Sequence, residues 1–431
     1  MNQKKEIGLY IIANYAYVGI NAISNLFVSK LLGPVVLGVI SYFNAIDSNL
    51  NSFVLGIIRS SIEREIPQIE EENQKREFGE SAFTLNLICI CLFSVLYLFI
   101  YILSEQSIMQ HCALWLCVLS FVKGIYDCCR IWHKANFNIT QVSYVMLISA
   151  LAIPPVVLVL SYFFDYNGFW FGRIVIVLTS LFVILKWMPR IHLGKPSFKL
   201  VKYIFVSGGP IILFGLIQTI YQTLDKYILN YMLGFEELGY YSIGAMAFTM
   251  MLLLPQSFVG AIFPRFVARK NEDLRLMVSK YSYCIQIISV LFSIAGIIAL
   301  PPLIKLFLPR YEASIPVLNT FFLGFVAYSS CQLKYVDLIR TNNIKDMLLF
   351  CAVPFVMSLF LFIVFVNSSY GICEMALLTS FNFLMLSTGV SLAWCKVNQL
   401  GLFRSTQVVG VHLFLCLITY MIINYDIFKL F

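Results

Sequence analysis

Charge is what this sequence has least of. Only 12% of its 431 residues are Asp, Glu, Lys or Arg, about half the share found in soluble domains. A chain this poor in charge and 60% hydrophobic has too little polar surface to cover a water-surrounded core, and no polar stretch is long enough for a soluble domain. The twelve cysteines are scattered, mostly inside apolar runs, with no Cys-x-x-Cys among them, and the four histidines lie far apart. Neither a zinc site nor a disulfide framework is indicated, and no metal site is expected. No Gly-x-x-x-x-Gly-Lys-Ser/Thr loop and no hydrolase or kinase motif occurs, so the chain shows no means of using ATP itself. The N-terminal apolar run, from Ile7 to about Leu32, lacks an Ala-x-Ala cleavage site and is longer than a signal peptide needs, so it reads as a retained first span.

What the chain has in abundance is apolar length. Runs of about 18 or more residues, each able to cross a ~30 Å hydrocarbon core as a helix, recur throughout. Spans are expected at roughly 7–32, 36–59, 80–103, 111–134, 142–164, 168–188, 203–233, 238–264, 280–306, 312–337, 344–366, 370–396 and 406–424. That is thirteen if the last run crosses and twelve if it lies at the interface. The fold class is therefore an all-α polytopic membrane protein.

Lys and Arg concentrate in alternate connections: Arg59 to Arg76, Arg130 and Lys134, Lys186 to Lys202, Arg265 to Lys280, Lys334 to Lys345, Lys396 and Arg404. By the positive-inside rule these face the cytoplasm, and so does the N-terminus. The same reading makes most of the net charge of +8 topogenic, with no nucleic-acid partner.

A self-match runs through the chain. Leu32-Gly33, Leu37-Gly38 and Ser41 correspond to Leu233-Gly234, Leu238-Gly239 and Ser242, every pair 201 positions apart. Two copies of one unit explain this, with an N-terminal lobe at 1–190, a basic cytoplasmic linker at 191–202, a C-terminal lobe at 203–398 and an extra membrane segment at 399–431. Both copies start inside, as parallel repeats do.

Ionisable residues at membrane depth face a bundle interior or a wet cavity. Span 4 carries Lys123, Asp127, Arg130 and Lys134 along one helical stripe. This stripe is either a Lys123–Asp127 pair with Arg130 and Lys134 reaching the inner surface, or a cationic surface for an anion. Asn14, Asn21 and Asn25 in span 1 and Asn44, Asp47 and Asn51 in span 2 read as interhelical hydrogen bonding or as the lining of a wet interior. Arg173 either snorkels outward or faces inward. Asp225 and Lys226 form an ion pair or line the interior, and Glu374, Lys334 and Asp337 add charge to the second half.

Together, SKLLGPVVLGVISYF, LDKYILNYMLGFEELGYYSIG, AIFPRFVARK and LFLPRYEASIPVL resemble, in order and spacing, the bacterial polysaccharide flippases. These are the O-antigen and lipid-linked-oligosaccharide exporters of the multidrug/oligosaccharidyl-lipid/polysaccharide (MATE-like) superfamily. The resemblance implies two parallel six-helix bundles around a central cavity that opens alternately to either side. It implies a transporter and not an enzyme, working in the bacterial inner (cytoplasmic) membrane on a polyprenyl-pyrophosphate-linked oligosaccharide such as an O-antigen or capsule repeat unit. Basic residues would hold the pyrophosphate: Lys123 and Arg130, then Arg59, Arg64, Arg173, Lys226 and Arg265, with Asn21 and Asn25 beside the glycan. Asp47, Asp127 and Asp225 are the carboxylates placed to couple transport to a proton or sodium gradient, with no other cofactor. Partners would be the glycan lipid, membrane lipids and polysaccharide polymerase machinery, around a monomer. The thirteenth segment departs from the simplest twelve-span form, and spans 1 and 2 offer no Lys or Arg at mid-depth.

Rival readings are a drug or metabolite cation antiporter of the same superfamily, a membrane polysaccharide polymerase or ligase, and a lipid scramblase. An antiporter for cations calls for an acidic interior where the span 4 stripe is net positive. A polymerase calls for a large outer loop, which is lacking, and a scramblase has no need of Lys123.

Overall fold

The computed structural model describes residues 3–104, 106–136, 138–187, 194, 198–268, 274–341, 343–366 and 370–424, which are helical with no strand among them. In hydrocarbon every backbone N–H and C=O must be satisfied inside the protein, and helices do so locally. Nine helices among the described residues are long and apolar enough to cross a membrane. The chain is a multi-pass membrane protein.

It divides into two compact units, 1–223 and 224–431. The first contains α1 (Gln3–Leu50), a π-helical turn (Asn51–Leu55), α2 (Gly56–Glu65), α3 (Glu72–Leu103), α4 (Ser107–Ala135), α5 (Ile139–Leu185) and α6 (Phe198–Tyr221). The second contains α7 (Leu224–Leu233), α8 (Phe235–Ala268), α9 (Arg275–Phe307), α10 (Ser314–Ser329), α11 (Gln332–Arg340), α12 (Ile344–Val366), α13 (Ile372–Val397) and α14 (Leu402–Asn424).

Two of these helices are hairpins. The 47 residues of α5 would reach ~70 Å if straight, more than twice the hydrocarbon thickness. The helix breaks at Phe164 and Asp165, where Asp165 has φ 49° and ψ −135°, a positive-φ backbone outside the left-handed helical well. Its arms then fold back on each other. Ser149 and Ser180 hydroxyls meet at 2.7 Å, and a Cβ on Gly168 would come within 1.9 Å of the Leu160 carbonyl oxygen. Only glycine allows that approach.

The α1 hairpin turns at Gly33, with φ 78° and Pro34 immediately after it. Tyr10 and Glu63 both meet Lys134, at one end of α4, whereas Asp47 meets Lys123, eleven residues earlier. The chain thus runs away from the Lys134 end and comes back to it. Gly33 and Gly234 are the two glycines with positive φ among the described residues, at 78° and 85°. They are the first of the two glycine pairs in the 201-residue self-match. At the second, the Tyr241 hydroxyl reaches back across the turn to Asp225.

Expected spans 7–32 and 36–59 are the two arms of the first hairpin, and 142–164 and 168–188 those of the second. Three details differ. Span 203–233 is interrupted at Gln222-Thr223, between α6 and α7, and span 312–337 at Ser330-Cys331, between α10 and α11. The compact units also meet at 223/224, later than the basic segment 191–202, most of which lies outside the described residues. The reason is that α6 is hydrogen-bonded along its length to the first unit. Ser61 donates to the Ile204 carbonyl (3.0 Å), Thr219 to the Ser52 hydroxyl (2.9 Å) and the Asn49 amide to Thr223 Oγ1 (2.9 Å).

Candidate functional site

The stripe on α4 is the scaffold of the site. Ser120, Lys123, Asp127, Arg130 and Lys134 follow one another by three or four residues, so they share a face. Opposite lies the run from Asn44 to Glu63, which contains the π turn. Asn51 donates its amide to the Asp47 carbonyl at 2.7 Å, the acceptor that its own N–H would use in an α-helix. The ladder widens there, and Gly56 N–H bonds back five residues to Asn51. At 100° per residue, Asp47 and Arg59 would stand roughly 120° apart on a regular helix. A wide turn that absorbs about one residue reduces this to roughly 20°. Both side chains consequently face α4.

The resulting geometry is a ladder of charge. Asp47 accepts from Lys123 Nζ (2.8 Å), Ser120 Oγ (2.6 Å) and Tyr97 OH (3.3 Å). Asp127 receives Arg130 Nη2 at 3.1 Å and Arg59 Nη1 at 3.5 Å. Lys134 pairs with Glu63. Arg173, from the second arm of α5, donates to Asn44 Oδ1 at 3.3 Å and lies over the rings of Phe169 and Trp170, 5.3 and 5.9 Å from their centroids. Five cations thus face three carboxylates. Three of the cations stay partly open, the Lys134 side chain 36% exposed, that of Lys123 35% and that of Arg130 29%. Such a surface can take an anion by charge-assisted hydrogen bonds.

Several expectations need correction. Lys123 does not neutralise Asp127 on its own helix; it takes Asp47, 76 residues away, and Asp127 takes two arginines. Arg173 turns inward. The ammonium of Lys226 forms no ion pair with Asp225. Asp225 is held by its neighbour's backbone N–H (2.8 Å), the Tyr241 hydroxyl and Thr379 Oγ1 (3.4 Å), and is 2% exposed. Asn14, Asn21 and Asn25 are half-buried and make no side-chain hydrogen bond among the described residues. Arg64 and Arg265 sit on α2 and α8, with side chains outside the described residues. Sequence reasoning missed Ser120 and Tyr97. Ser120 was within reach, since it precedes Lys123 by three on the same stripe, whereas Tyr97 on α3 has no local signal.

The second unit treats its charges differently. Asp337 is bound by Arg340 (2.7 Å) and by Trp394 Nε1 (2.8 Å). Lys334, 2% exposed, donates to Ser391 Oγ at 2.9 Å. Glu374 caps the N-terminus of α13 through the Gly371 N–H. His412 ties α14 into the unit through Gln286 (2.9 Å), Ser330 (3.0 Å) and Ser387 (3.2 Å). A cavity of about 560 Å³ lies away from all these charges, in the first unit between Ile69–Phe78 and the start of α6.

The described residues thus form helical hairpins with an internal ladder of cations and no strand. The fold matches that of a multidrug resistance MATE family transporter of the MOP superfamily in an outward-facing conformation, with TM-score 0.69 and 14% identity over 92% of this chain and 96% of the other. It also matches the lipid II flippase MurJ in an inward closed conformation, with TM-score 0.68 and 15% identity over 98% and 99%. The chain belongs to the polysaccharide biosynthesis protein family, which matches residues 27–311. A Shigella flexneri protein that carries the provisional name O-antigen transporter is 22% identical over 91% of this chain and 97% of its own length.

Proposed function

We propose that this protein is a flippase that moves a polyprenyl-pyrophosphate-linked oligosaccharide from the inner to the outer leaflet of a bacterial cytoplasmic membrane by alternating access. One observation carries this reading: the ladder Arg59–Arg130–Lys123–Arg173, in net excess over its carboxylates and partly open. Lys123 lies twelve residues, or about 18 Å, from the end of α4, a depth at which an unpaired charge is costly. A pyrophosphate crossing hydrocarbon needs such counter-charges. The family, the O-antigen transporter relative and the lipid II flippase fold favour the same substrate class.

If the cycle is driven by a proton or sodium gradient, Asp225 is the carboxylate best placed to couple it. Asp47 and Asp127 are each held by cations, whereas among the described residues Asp225 is hydrogen-bonded by two hydroxyls and a backbone N–H. The MATE likeness favours a second reading, export of organic cations, against which the excess of Lys and Arg argues.

Leaflet-resolved detection of the glycan lipid tests the proposal. Cells lacking this protein accumulate it on the inner leaflet, and so do cells carrying Lys123→Ala with Arg130→Ala. Unpolymerised glycan lipid on the outer leaflet of the deletion strain would overturn the reading in favour of a polymerase.

A further inference from the structure

The two arginines on Asp127 are under-used. A guanidinium carries five N–H donors in a fixed fork. Arg59 gives Asp127 Nη1 alone, at 3.5 Å, and Arg130 gives Nη2 alone, at 3.1 Å. Arg59 Nε and Nη2 and Arg130 Nε are buried with no acceptor among the described residues. Arg340 in the second unit shows what a closed pair looks like: both Nε (2.8 Å) and Nη2 (2.7 Å) reach Asp337, and the side chain is 5% exposed. Buried donors without acceptors are costly, and these three belong to two arginines that share one carboxylate with only two oxygens. A pyrophosphate linkage, with four non-bridging oxygens and two negative charges, would satisfy more of these donors. Access is open on the Arg130 side, where 29% of the side chain is exposed.

We infer that Arg59 and Arg130 form a phosphoryl-binding subsite, and that Asp127 occupies it as a tethered stand-in anion which an incoming phosphate displaces. The carboxylate then has two effects. It keeps two buried guanidiniums partly neutralised when no ligand is present, and it competes with the ligand so that the ligand can leave. Tight binding without such a competitor would hold the phosphate in place and slow the cycle. The physiological ligand, the pyrophosphate of a polyprenyl-linked glycan, rests on the function proposed above; the subsite itself does not.

The test is equilibrium binding of inorganic pyrophosphate to the purified full-length protein in a non-ionic detergent, by calorimetry and by ligand-dependent thermal unfolding. Asp127→Asn removes the competitor and leaves both arginines. It is expected to bind pyrophosphate about tenfold tighter than the unaltered protein, to unfold at a lower temperature without ligand, and to regain that temperature with it. Arg59→Gln, which keeps the Arg130–Asp127 pair, is expected to lose most of the binding while remaining folded. Equal or weaker binding by Asp127→Asn would overturn the inference, making Asp127 a plain scaffold for the arginines, as would unchanged binding by Arg59→Gln.

Repeating the titration with dioleoyl phosphatidylglycerol micelles separates the sources of phosphate. An equal gain in Asp127→Asn for that lipid keeps the subsite and assigns it to bilayer head groups. The flippase reading fails separately: pyrophosphate binding as described, without inner-leaflet accumulation in the deletion strain, leaves the subsite and removes the transport of glycan lipid.

Discussion

The two units handle buried charge in opposite ways. In the first, Lys123 and Arg130 stand on α4 with about a third of each side chain open, and Asp127 is shared by two arginines that it cannot satisfy. In the second, Arg340 closes on Asp337 with two donors, Trp394 adds a third, and Lys334 is sealed against Ser391. Both units thus put Lys, Asp and Arg inside a membrane protein, and composition alone does not tell them apart. The difference lies in how completely each charge is satisfied. A closed pair supports the fold, whereas an open, under-satisfied one is available to a ligand.

The sharpest way to break this comparison is to remove one member from each side. Arg340→Ala leaves Asp337 buried and unpaired, which costs about 3–5 kcal/mol in comparable sites. Its thermal unfolding in detergent is expected to fall well below that of the parent, or the protein to fail to accumulate. His412→Leu comes next. It removes the ties from α14 to Gln286, Ser330 and Ser387 and should cost roughly 2–3 kcal/mol. Proteolysis that begins in α14 would show the loss.

Gly33→Ala and Gly234→Ala follow, each at about 1–3 kcal/mol, since the substituent meets no atom within 4 Å at either site and the effect is that of a positive-φ backbone alone. Similar losses from the two variants would support the repeat, and a clear inequality would weaken it. Lys123→Ala closes the series. The Lys123 side chain is 35% exposed while that of Asp47 is 9% exposed, and Asp47 keeps Ser120 and Tyr97, so the stability loss should be smaller than that of Arg340→Ala, while transport is lost. A fold as damaged by Lys123→Ala as by Arg340→Ala would erase the distinction between the units.

Much of the architecture was legible beforehand. Apolar run length marked the spans, and Leu32-Gly33 and Leu233-Gly234 marked two reversals that the structure makes with the same positive-φ glycine. The α4 stripe was visible because helical spacing is local. Its pairing was not. Lys123 and Asp127 at i, i+4 are the obvious partners on one helix, and nothing near them in sequence announces Asp47 or Tyr97. The π turn was also hidden. Asn51 is one of several amides in the first two spans, and only its bond to the Asp47 carbonyl makes it the residue that brings Arg59 around to α4. The breaks at Gln222-Thr223 and Ser330-Cys331 carry no Gly or Pro and fall inside apolar runs, where periodicity predicts an unbroken helix.

The most direct test of the account uses purified protein in sealed vesicles that contain a polyprenyl-pyrophosphate disaccharide in both leaflets, with an impermeant glycosidase outside. Cleavage beyond the outer-leaflet half reports transfer. The account predicts that the unaltered protein brings cleavage close to completion. Lys123→Ala with Arg130→Ala, unfolding near the same temperature, should stop at the outer-leaflet half. Complete cleavage by that double variant, or none beyond half by the unaltered protein, would contradict it.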